Sequence, residues 1–442
     1  MLRKAILIVI ALCFGYGGYV VYSEYASAFY YLAGRYDRMM NPYGLDPEAP
    51  KPTADETAFH ESMFVADLHV DTLKWERDLL ERSTFGHTDI PRMREGNISM
   101  QVFTIVTKSP IRSPWRDCVN GGNPDANTLL SAMQGRPTFD LRARAFHQID
   151  RFKDAAARSL EYEGPELRLI ESADDLETFL ADWSAGEEIV AGIIGIEGAH
   201  WIGGRGRSDD DVRADVRDLH DAGVRLFGPV HRFDNSLSGS SEGCQAYGLT
   251  GHGRAAVTEA QNLGMTIDLA HMSPAGIHDA VEILEKPFTV SHTGIRAECE
   301  EPCRPDRNLG DDDVRLIIEN GGLIGVGYWP QAIGPSIWRL PEVMDHIKTI
   351  AEDIGQQPSR HVALGSDFDG SVAPLIEVSR LDTLTALMER GPAPFDRETI
   401  RDISGRNVCR MFATTLPGGY SELGSMLCDD LGTSVETPVA LR

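Results

Sequence analysis

Histidine and carboxylate side chains recur where short apolar runs of this sequence end. They are His69 and Asp71 after 63–68, Glu197 after 189–196, His231 after 224–230, His271 after 264–270, His292 after 287–291 and Asp367 after 361–366. Imidazole nitrogens and carboxylate oxygens are the ligands of hydrolytic two-metal sites, in which the ions lie about 3.5–4 Å apart. The pattern predicts such a site if the runs are strands whose carboxyl ends meet.

Each of these residues also has a purely structural explanation. Glu197 could be an acid at a helix N-terminus, where the helix dipole favours negative charge. His271 and His292 could be buried histidines with satisfied hydrogen bonds, and Asp367 could belong to a tight turn with Asp369. The occurrence of six such groups, each at the end of a separate apolar run, favours a functional site.

The elements that must position these residues are eight predicted strands. They are 63–68, 98–106, 189–196, 224–230, 264–270, 287–291, 322–328 and 361–366. Continuous apolar strands separated by helical segments are typical of a parallel sheet that is covered on both faces. Eight of them in about 350 residues predict an α/β fold, specifically a (β/α)8 TIM barrel. The segment 107–188 is then an insertion after the second strand, with a helix from Leu141 to Ser159.

An open, doubly wound sheet is the alternative fold. It is disfavoured because no G-x-G-x-x-G sequence follows an early strand.

The N-terminus predicts export. Arg3 and Lys4 precede an uncharged stretch, 5–23, that is long enough for a membrane helix, while the small residues Ala26-Ser27-Ala28 offer cleavage of a signal peptide as the alternative. We therefore expect a catalytic domain on the periplasmic or extracellular side, anchored to the membrane, or secreted if the segment is cleaved. The predicted domains are an anchor or signal peptide (1–28), a Pro-rich spacer (29–58), a metallohydrolase domain (59–416) and a tail (417–442). A fragment from about Pro42 onward is expected to fold without the anchor.

Charge and cysteine content narrow the function further. Lys and Arg total 42 and Asp and Glu total 67, so the net charge is −25, which disfavours a nucleic-acid partner. None of the seven cysteines forms a CxxC pair, and the six outside the membrane segment could form disulfides in an exported protein. Cys299 and Cys303 are close enough to close a small loop, but the sequence does not fix the connectivity.

The segments around these residues resemble the membrane dipeptidase (renal dipeptidase) family, zinc peptidases of the amidohydrolase-like barrels. The resemblance runs from about Phe64 to Phe412 and rests on 67–73 (DLHVDTL), 195–198 (GIEG), 264–273 (GMTIDLAHMS), 291–292 (SH), 307–309 (RNL), 365–370 (GSDFDG) and 405–407 (GRN). It implies one zinc on His69 and Asp71, a second on His271 and His292, and Glu197 as the bridging ligand. It also implies that His231 and Arg307 contact substrate and that Asp367 transfers protons.

Two positions depart from the pattern of that family. His200 follows Glu197-Gly198-Ala199 where the family has Glu-Gly-Gly-His, and we expect His200 to be a supporting or packing residue. Trp329 stands where the family has a substrate-contacting tyrosine, with Tyr328 one place earlier as its substitute. Substrate side-chain specificity is therefore the property that the resemblance leaves open.

Taken together, the residues and the resemblance predict a zinc-dependent dipeptidase with two Zn²⁺, which acts through a metal-bridging hydroxide. In this hypothesis Asp367 accepts the water proton and passes it to the leaving amine, and His231 stabilises the oxyanion. Arg307 binds the terminal carboxylate of the substrate.

Other functions and partners stay open at this stage. One alternative is another dinuclear-metal amidohydrolase, acting on N-acyl amino acids, β-lactams or lactones. A second is a membrane-tethered binding protein without activity. The expected partners are small dipeptides, the membrane through the N-terminal segment and, by resemblance alone, a second copy in a homodimer. Acceptance of a C-terminal D-residue is also open.

Overall fold

The computed structural model describes residues 28–111 and 118–433. Its centre is a curled parallel sheet with the strand order β6-β5-β4-β2-β1-β9-β8-β7, and β3 pairs with β4 outside this path. The strands are β1 (Val65–Val70), β2 (Ile98–Val106), β3 (Glu166–Leu169), β4 (Ile189–Glu197), β5 (Val224–Gly228), β6 (Thr266–Ile267), β7 (Thr289–Thr293), β8 (Leu323–Val326) and β9 (Val362–Leu364). A parallel bridge between Asp268 and Thr289 links the two ends of the path.

The eight predicted strands correspond to eight strands of the curled path, and an α/β fold with a parallel sheet is confirmed. Strand β2 has the predicted bounds, whereas β1 begins two residues later than expected because Met63 still caps the preceding helix. His69 therefore lies within β1 rather than after it. Strand β3 was not predicted, since its sequence, Glu-Leu-Arg-Leu, carries no continuous apolar run, and only Leu167 of its four residues is buried.

Helices cover the sheet. They are α1 (28–40), α2 (Ala54–Ser62), α3 (Ile90–Glu95), α4 (Ala126–Met133), α5 (Leu141–Ser159), α6 (Ala173–Ser184), α7 (Asp209–Asp221), α8 (Gly251–Asn262), α9 (Pro274–Val281), α10 (Asp311–Glu319), α11 (Pro330–Ile333), α12 (Leu340–Asp353), α13 (Asp382–Arg390), α14 (Arg397–Arg401), α15 (Asn407–Thr415) and α16 (Ser421–Cys428). Helices α2 to α9 and α14 begin at a Ser, Thr or Asp whose side chain accepts a backbone N–H of the first turn. Helix α5 has the predicted bounds and starts where the Asp140 side chain accepts the Ala143 N–H. Every residue of β1, β2, β4 and β5 is buried, as a sheet covered on both faces requires.

The N-terminal part of the described chain packs on the body. In helix α1, Ala33 contacts the cluster of Trp75 and Leu130, and Asp37 is also buried. Part of the predicted spacer, residues 29–40, is therefore helical, and a fragment starting at Pro42 would lack the contacts of α1. That such a fragment folds without the anchor stays a prediction. The predicted anchor, residues 1–28, lies outside the described residues except for Ala28. Within 28–111 and 118–433 no helix combines the length and apolarity that spanning a bilayer needs.

Three disulfides join the described cysteines. They are Cys118–Cys244, Cys299–Cys303 and Cys409–Cys428. The first ties the insertion to the segment after β5, the second closes the small loop noted in the sequence, and the third fastens α16 to α15. The C-terminal tail thus starts as an ordered helix, while residues 434–442 lie outside the described part.

Candidate active site

The predicted site residues converge at the carboxyl ends of the strands. His69 and His292 lie within β1 and β7, and Glu197 is the last residue of β4. The other residues follow β1, β5, β6 and β9 in the chain: Asp71, His231, His271 and Asp367. A cavity of about 200 Å³ lies beside these residues. It is lined by Asp71, Glu197, His231, His271, Arg307, Trp329 and Asp367 among the predicted residues.

Local backbone geometry brings these side chains inward. Alternation along β1 places His69 and Asp71 on the same face of the sheet. His271 and Asp367 have φ values of 63° and 53°, in the left-handed region that non-glycine residues adopt at a cost. Gly370 completes the turn because a Cβ there would overlap the carboxylate of Asp367.

Glu197 lies at the centre of the cluster. Its Oε1 atom is 2.8 Å from His271 Nε2, 3.4 Å from His292 Nε2 and 3.6 Å from His69 Nε2, and its Oε2 is 3.3 Å from His231 Nε2. Glu197 is buried, yet Oε1 accepts no hydrogen bond from any described residue. A buried carboxylate oxygen that faces several ring nitrogens without a hydrogen bond fits a cation between them.

Three overlapping sets of side chains have the spacing of a metal site. They are His69–Glu197–His292, Glu197–His231–His271 and His69–Asp71–Asp367. The Nε2 atoms of His271 and His292 are also only 3.1 Å apart. These two nitrogen atoms and Glu197 Oε1 therefore all lie within 3.4 Å of one another. His69 Nε2 is 3.5 Å from Asp71 Oδ1. The geometry thus brings together every residue that the resemblance implies as a ligand.

Ser291 fixes the orientation of two of the rings. Its hydroxyl donates to Asp268 Oδ2 (2.7 Å), and its oxygen lies 3.0 Å from His69 Nδ1 and 2.9 Å from His292 Nδ1. Because the hydroxyl hydrogen is used by Asp268, Ser291 Oγ accepts from both Nδ1–H groups. Each Nε2 then carries its lone pair toward Glu197, as a metal ligand must.

The electrostatics of the cluster also favour a cation. Burial raises the pKa of Glu197 well above its usual range and lowers the pKa of His271 and His292, which keeps these imidazoles neutral. For His69, burial alone would lower the pKa, but Glu197 and Asp71 raise it to about 9. The two carboxylates therefore demand a positive charge beside them, and a proton on His69 or a metal ion supplies it.

Asp367 has the character of a proton-transfer group. Burial raises the pKa of its carboxyl to about 7, Asp71 acts in the same direction, and His69 and Lys74 oppose it. A carboxyl with a pKa near neutrality both accepts and returns a proton efficiently. Asp367 also lines the cavity, so a bound molecule can reach it.

Arg307 and His231 line the cavity at different places: Arg307 lies beside His271 and His292, and His231 lies beside Glu197. Arg307 Nη2 donates to the His292 carbonyl oxygen at 2.9 Å and lies 3.3 Å from His271 Nε2. His231 Nδ1 donates to the Lys108 carbonyl oxygen at 2.8 Å, so in its neutral form Nε2 is an acceptor. Burial lowers the pKa of His231 well below its usual value, which disfavours the second proton that an oxyanion donor would need. The predicted oxyanion role of His231 does not fit this tautomer.

The two aromatic candidates occupy different places. Trp329 lines the cavity, as expected of a substrate contact. Tyr328 is fully buried and its hydroxyl donates to Asp67 Oδ2 at 2.9 Å, so the prediction that it contacts substrate is wrong. His200 lies beside the cluster with its Nδ1 2.8 Å from the Gly198 carbonyl oxygen and its ring edge-on to Phe233, which is a packing position.

Four charged cavity residues were missed by the sequence reasoning: Lys74, Arg232, Glu242 and Arg304. Glu242 accepts from Arg232 Nε at 2.6 Å and lies 3.0 Å from Arg304 Nη1. Lys74 donates to Asp71 Oδ2 at 3.1 Å, leaving Oδ1 directed at His69. The position of Lys74 three residues after Asp71 was a usable signal, whereas no motif distinguishes Glu242.

Comparisons with known proteins identify the family of the chain. A sequence model of the family described as membrane dipeptidase (peptidase family M19) matches residues 53–416. An uncharacterized dipeptidase of Schizosaccharomyces pombe is 29% identical over 345 residues, 76% of this chain and 75% of that protein. A dipeptidase of Aspergillus oryzae is 28% identical over 356 residues, 78% of this chain and 73% of its own length.

Solved structures share the fold. The crystal structure of dipeptidase AC, a metallopeptidase of family M19, matches 80% of this chain and 99% of its own with a TM-score of 0.61 and 24% identity. A metallopeptidase from Rhodobacter sphaeroides, crystallised with a phosphinate mimic of the dipeptide L-Ala-D-Ala, gives the same TM-score, identity and coverage.

Proposed function

The chain belongs to the membrane dipeptidase family, and on that premise we propose how its own residues hydrolyse a dipeptide. It is a metal-dependent peptidase whose substrates are dipeptides. The observation that carries the residue assignment is Glu197 Oε1, buried without a hydrogen bond from the described residues and faced by three imidazole nitrogens.

The proposed metals are two Zn²⁺. His69 and Asp71 would hold one, His271 and His292 would hold the other, and Glu197 would bridge them. A ligand set of imidazoles and carboxylates suits zinc, and the orientation of the His69 and His292 rings by Ser291 supports the assignment. When bound, such ions lower the pKa of a bound water toward neutrality and polarise the scissile carbonyl.

The remaining groups of the chain position the substrate and move protons. Asp367 accepts the proton of the attacking water and returns it to the leaving amine. Arg307 offers a planar pair of donors to the C-terminal carboxylate of the substrate. His231 and Trp329 contact the substrate, and the small volume of the cavity restricts it to very short peptides.

We also propose that the catalytic domain is exported, anchored to the membrane and dimeric. Three disulfides support an exported chain, because disulfides persist in oxidising compartments. Anchoring by the N-terminal segment and a homodimer follow from the sequence and the resemblance alone.

The bridge between Asp268 and Thr289 supports treating the curled sheet as a (β/α)8 barrel.

The test is release of free amino acids by the purified full chain from L-L and L-D dipeptides, with and without a chelator and with zinc returned. The L-D series is included because the Rhodobacter sphaeroides protein of similar fold was crystallised with a mimic of L-Ala-D-Ala. We expect chelator-sensitive cleavage that zinc restores and that amidation of the substrate carboxylate abolishes. Failure of the zinc-loaded protein to cleave any dipeptide, together with hydrolysis of N-acyl amino acids or lactones, would contradict the proposal.

A further inference from the structure

The loop that carries Asp367 has an unusual backbone. The φ values are 53° at Asp367, 62° at Asp369 and 68° at Ser371, so three non-glycine residues among five adopt the left-handed region. L-residues enter this region at a cost, and they stay there only where surrounding contacts hold them. The contacts of this loop therefore decide where the Asp367 carboxylate lies.

The first set of contacts holds Asp369 from the segment between β1 and α3. The buried carboxylate of Asp369 accepts the His87 N–H at 2.7 Å and the Thr88 hydroxyl at 2.6 Å, and it lies 2.6 Å from Arg77 Nη2. Trp75 Nε1 donates to the Asp369 carbonyl oxygen at 2.7 Å. The side-chain carboxylate and the backbone carbonyl of Asp369 are thus both held by the segment between β1 and α3.

A second set joins the same loop to the end of α1. Asn41 Oδ1 accepts the Ser371 N–H at 3.0 Å, and Asn41 Nδ2 donates to Asp37 Oδ1 at 2.7 Å. Asp37 Oδ2 in turn accepts from Arg77 Nε at 2.9 Å, the same guanidinium that reaches Asp369. Asn41 therefore contacts the loop directly, whereas Asp37 is connected to it through Arg77, and both residues are buried.

His87 adds a third connection between the N-terminal segment and the loop. Its Nδ1 accepts the Asp369 N–H at 2.8 Å, and its Nε2 donates to the Pro42 carbonyl oxygen at 3.1 Å. Only the neutral ring can accept at one nitrogen and donate at the other. The burial of His87, at 2% exposure, favours this neutral form.

We infer that the segment 37–42 is part of the catalytic apparatus, with Asn41 as a positioning residue that sets the place of Asp367. The inference rests on the proposed role of Asp367 in proton transfer. Without the bond from Ser371 to Asn41, the loop can leave its left-handed conformation and carry the carboxylate away from the reacting atoms. The groups proposed to bind metal and substrate stay where they are, so the chemical step should suffer while substrate binding does not.

The experiment compares Asn41→Ala with Asn320→Ala in the full chain. Asn320 is an exposed residue after α10 whose amide donates to the Leu316 carbonyl oxygen of its own helix. We expect Asn41→Ala to lower kcat at least about tenfold, with KM and zinc content within about twofold, because displacement of a reacting group by about 1 Å costs this much or more. Asn320→Ala should leave kcat within about twofold.

Hydrogen exchange supplies a readout that does not depend on turnover. Exchange in the peptide 366–372 should quicken in Asn41→Ala and stay unchanged in Asn320→Ala, since only the first removes the acceptor of the Ser371 N–H. Asn41→Ser, whose side chain is too short to reach Ser371, replaces Asn41→Ala if the latter does not fold.

Unchanged kcat and unchanged exchange in the Asn41 variant would overturn the inference, as would a loss of activity that only follows loss of zinc. Asp367→Asn separates this outcome from failure of the proposed function. If Asp367→Asn stays active, the proton-transfer role is wrong. If it is inactive while Asn41→Ala is normal, only the positioning role is wrong.

Discussion

Glu197 unites the chemistry of the site because four imidazoles approach its two oxygens. Three of the approaching nitrogens lie within 3.6 Å of Oε1 and one lies 3.3 Å from Oε2. A protein interior tolerates so many polar groups at these distances only when charge is balanced among them. The individual roles can be separated by removing one group at a time.

At the residue scale, His271→Ala should remove a ligand of the second proposed ion. We expect the purified variant to retain about one zinc fewer per chain after dialysis and to lose activity, because the three-donor set would keep only His292 and Glu197. Zinc measured per folded chain checks this. The control is His278→Ala, a histidine of α9 whose side chain is 57% exposed. Equal zinc content in both variants would contradict the assignment.

Asp367→Asn keeps the size of the side chain and removes its capacity to take a proton. We expect kcat to fall by about 10²–10⁴ while zinc content and KM change little, which is the usual contribution of a positioned acid–base group. Steady-state kinetics with a dipeptide gives both constants. Asp353→Asn, an exposed residue at the end of α12, is the matched substitution. A decrease of less than about threefold in Asp367→Asn would assign the proton transfer to another group.

At the scale of elements, segments outside the sheet contact the loop that carries Asp367. The segment between β1 and α3 reaches the loop that carries Asp367, and α1 reaches the same loop through Asn41. Helix α16 is tied to α15 by Cys409–Cys428, on the chain that follows the last strand. The disulfides therefore join elements whose separation along the chain differs widely.

Removing each disulfide by a pair of Cys→Ser substitutions should destabilise the protein in order of that separation. The separations are 126 residues for Cys118–Cys244, 19 for Cys409–Cys428 and 4 for Cys299–Cys303. Loop-closure entropy in the unfolded chain gives about 5, 3 and 2 kcal/mol respectively. The denaturant midpoints of the three pairs of substitutions test the order. The largest loss from the Cys299–Cys303 pair would contradict it.

At the scale of the whole molecule, buried neutral histidines outside the site contribute a loss of stability in acid. Burial lowers the pKa of His60, His87 and His361 from the usual value of 6.5. His60 is held by Thr385 Oγ1 at 2.8 Å and the Gly96 carbonyl oxygen at 3.0 Å. Below about pH 6.5 the unfolded chain binds protons that the folded chain refuses, so the free energy of unfolding falls as pH falls.

We therefore expect the urea midpoint to decrease between pH 7.5 and pH 5.5, and His60→Gln to weaken this dependence. The variant starts from a lower midpoint at pH 7.5 because it loses two hydrogen bonds, but it has one such histidine fewer to protonate on unfolding. Urea titrations at both pH values measure the difference. An equally steep dependence in His60→Gln would show that His60 is not among the responsible groups.

The sequence alone determined the parts of this protein that local pattern encodes. Eight apolar runs gave the strands of the curled sheet, and the helix predicted from Leu141 to Ser159 is α5, because periodicity and polar caps act within a few residues. The types and spacing of His69, Asp71 and Glu197 indicated where the chemistry lies, and the family match agrees with the function inferred from them.

Only the tertiary structure decided what depends on residues far apart in the chain. Tyr328 faces Asp67 while Trp329 faces the cavity, since one step along the chain reverses the side on which a residue lies. The pairing of Cys118 with Cys244, and the reach of Asn41 to Ser371, likewise depend on how distant segments pack. A linear pattern records the donors and acceptors of such contacts but not their partners, because packing of the whole chain brings those partners together.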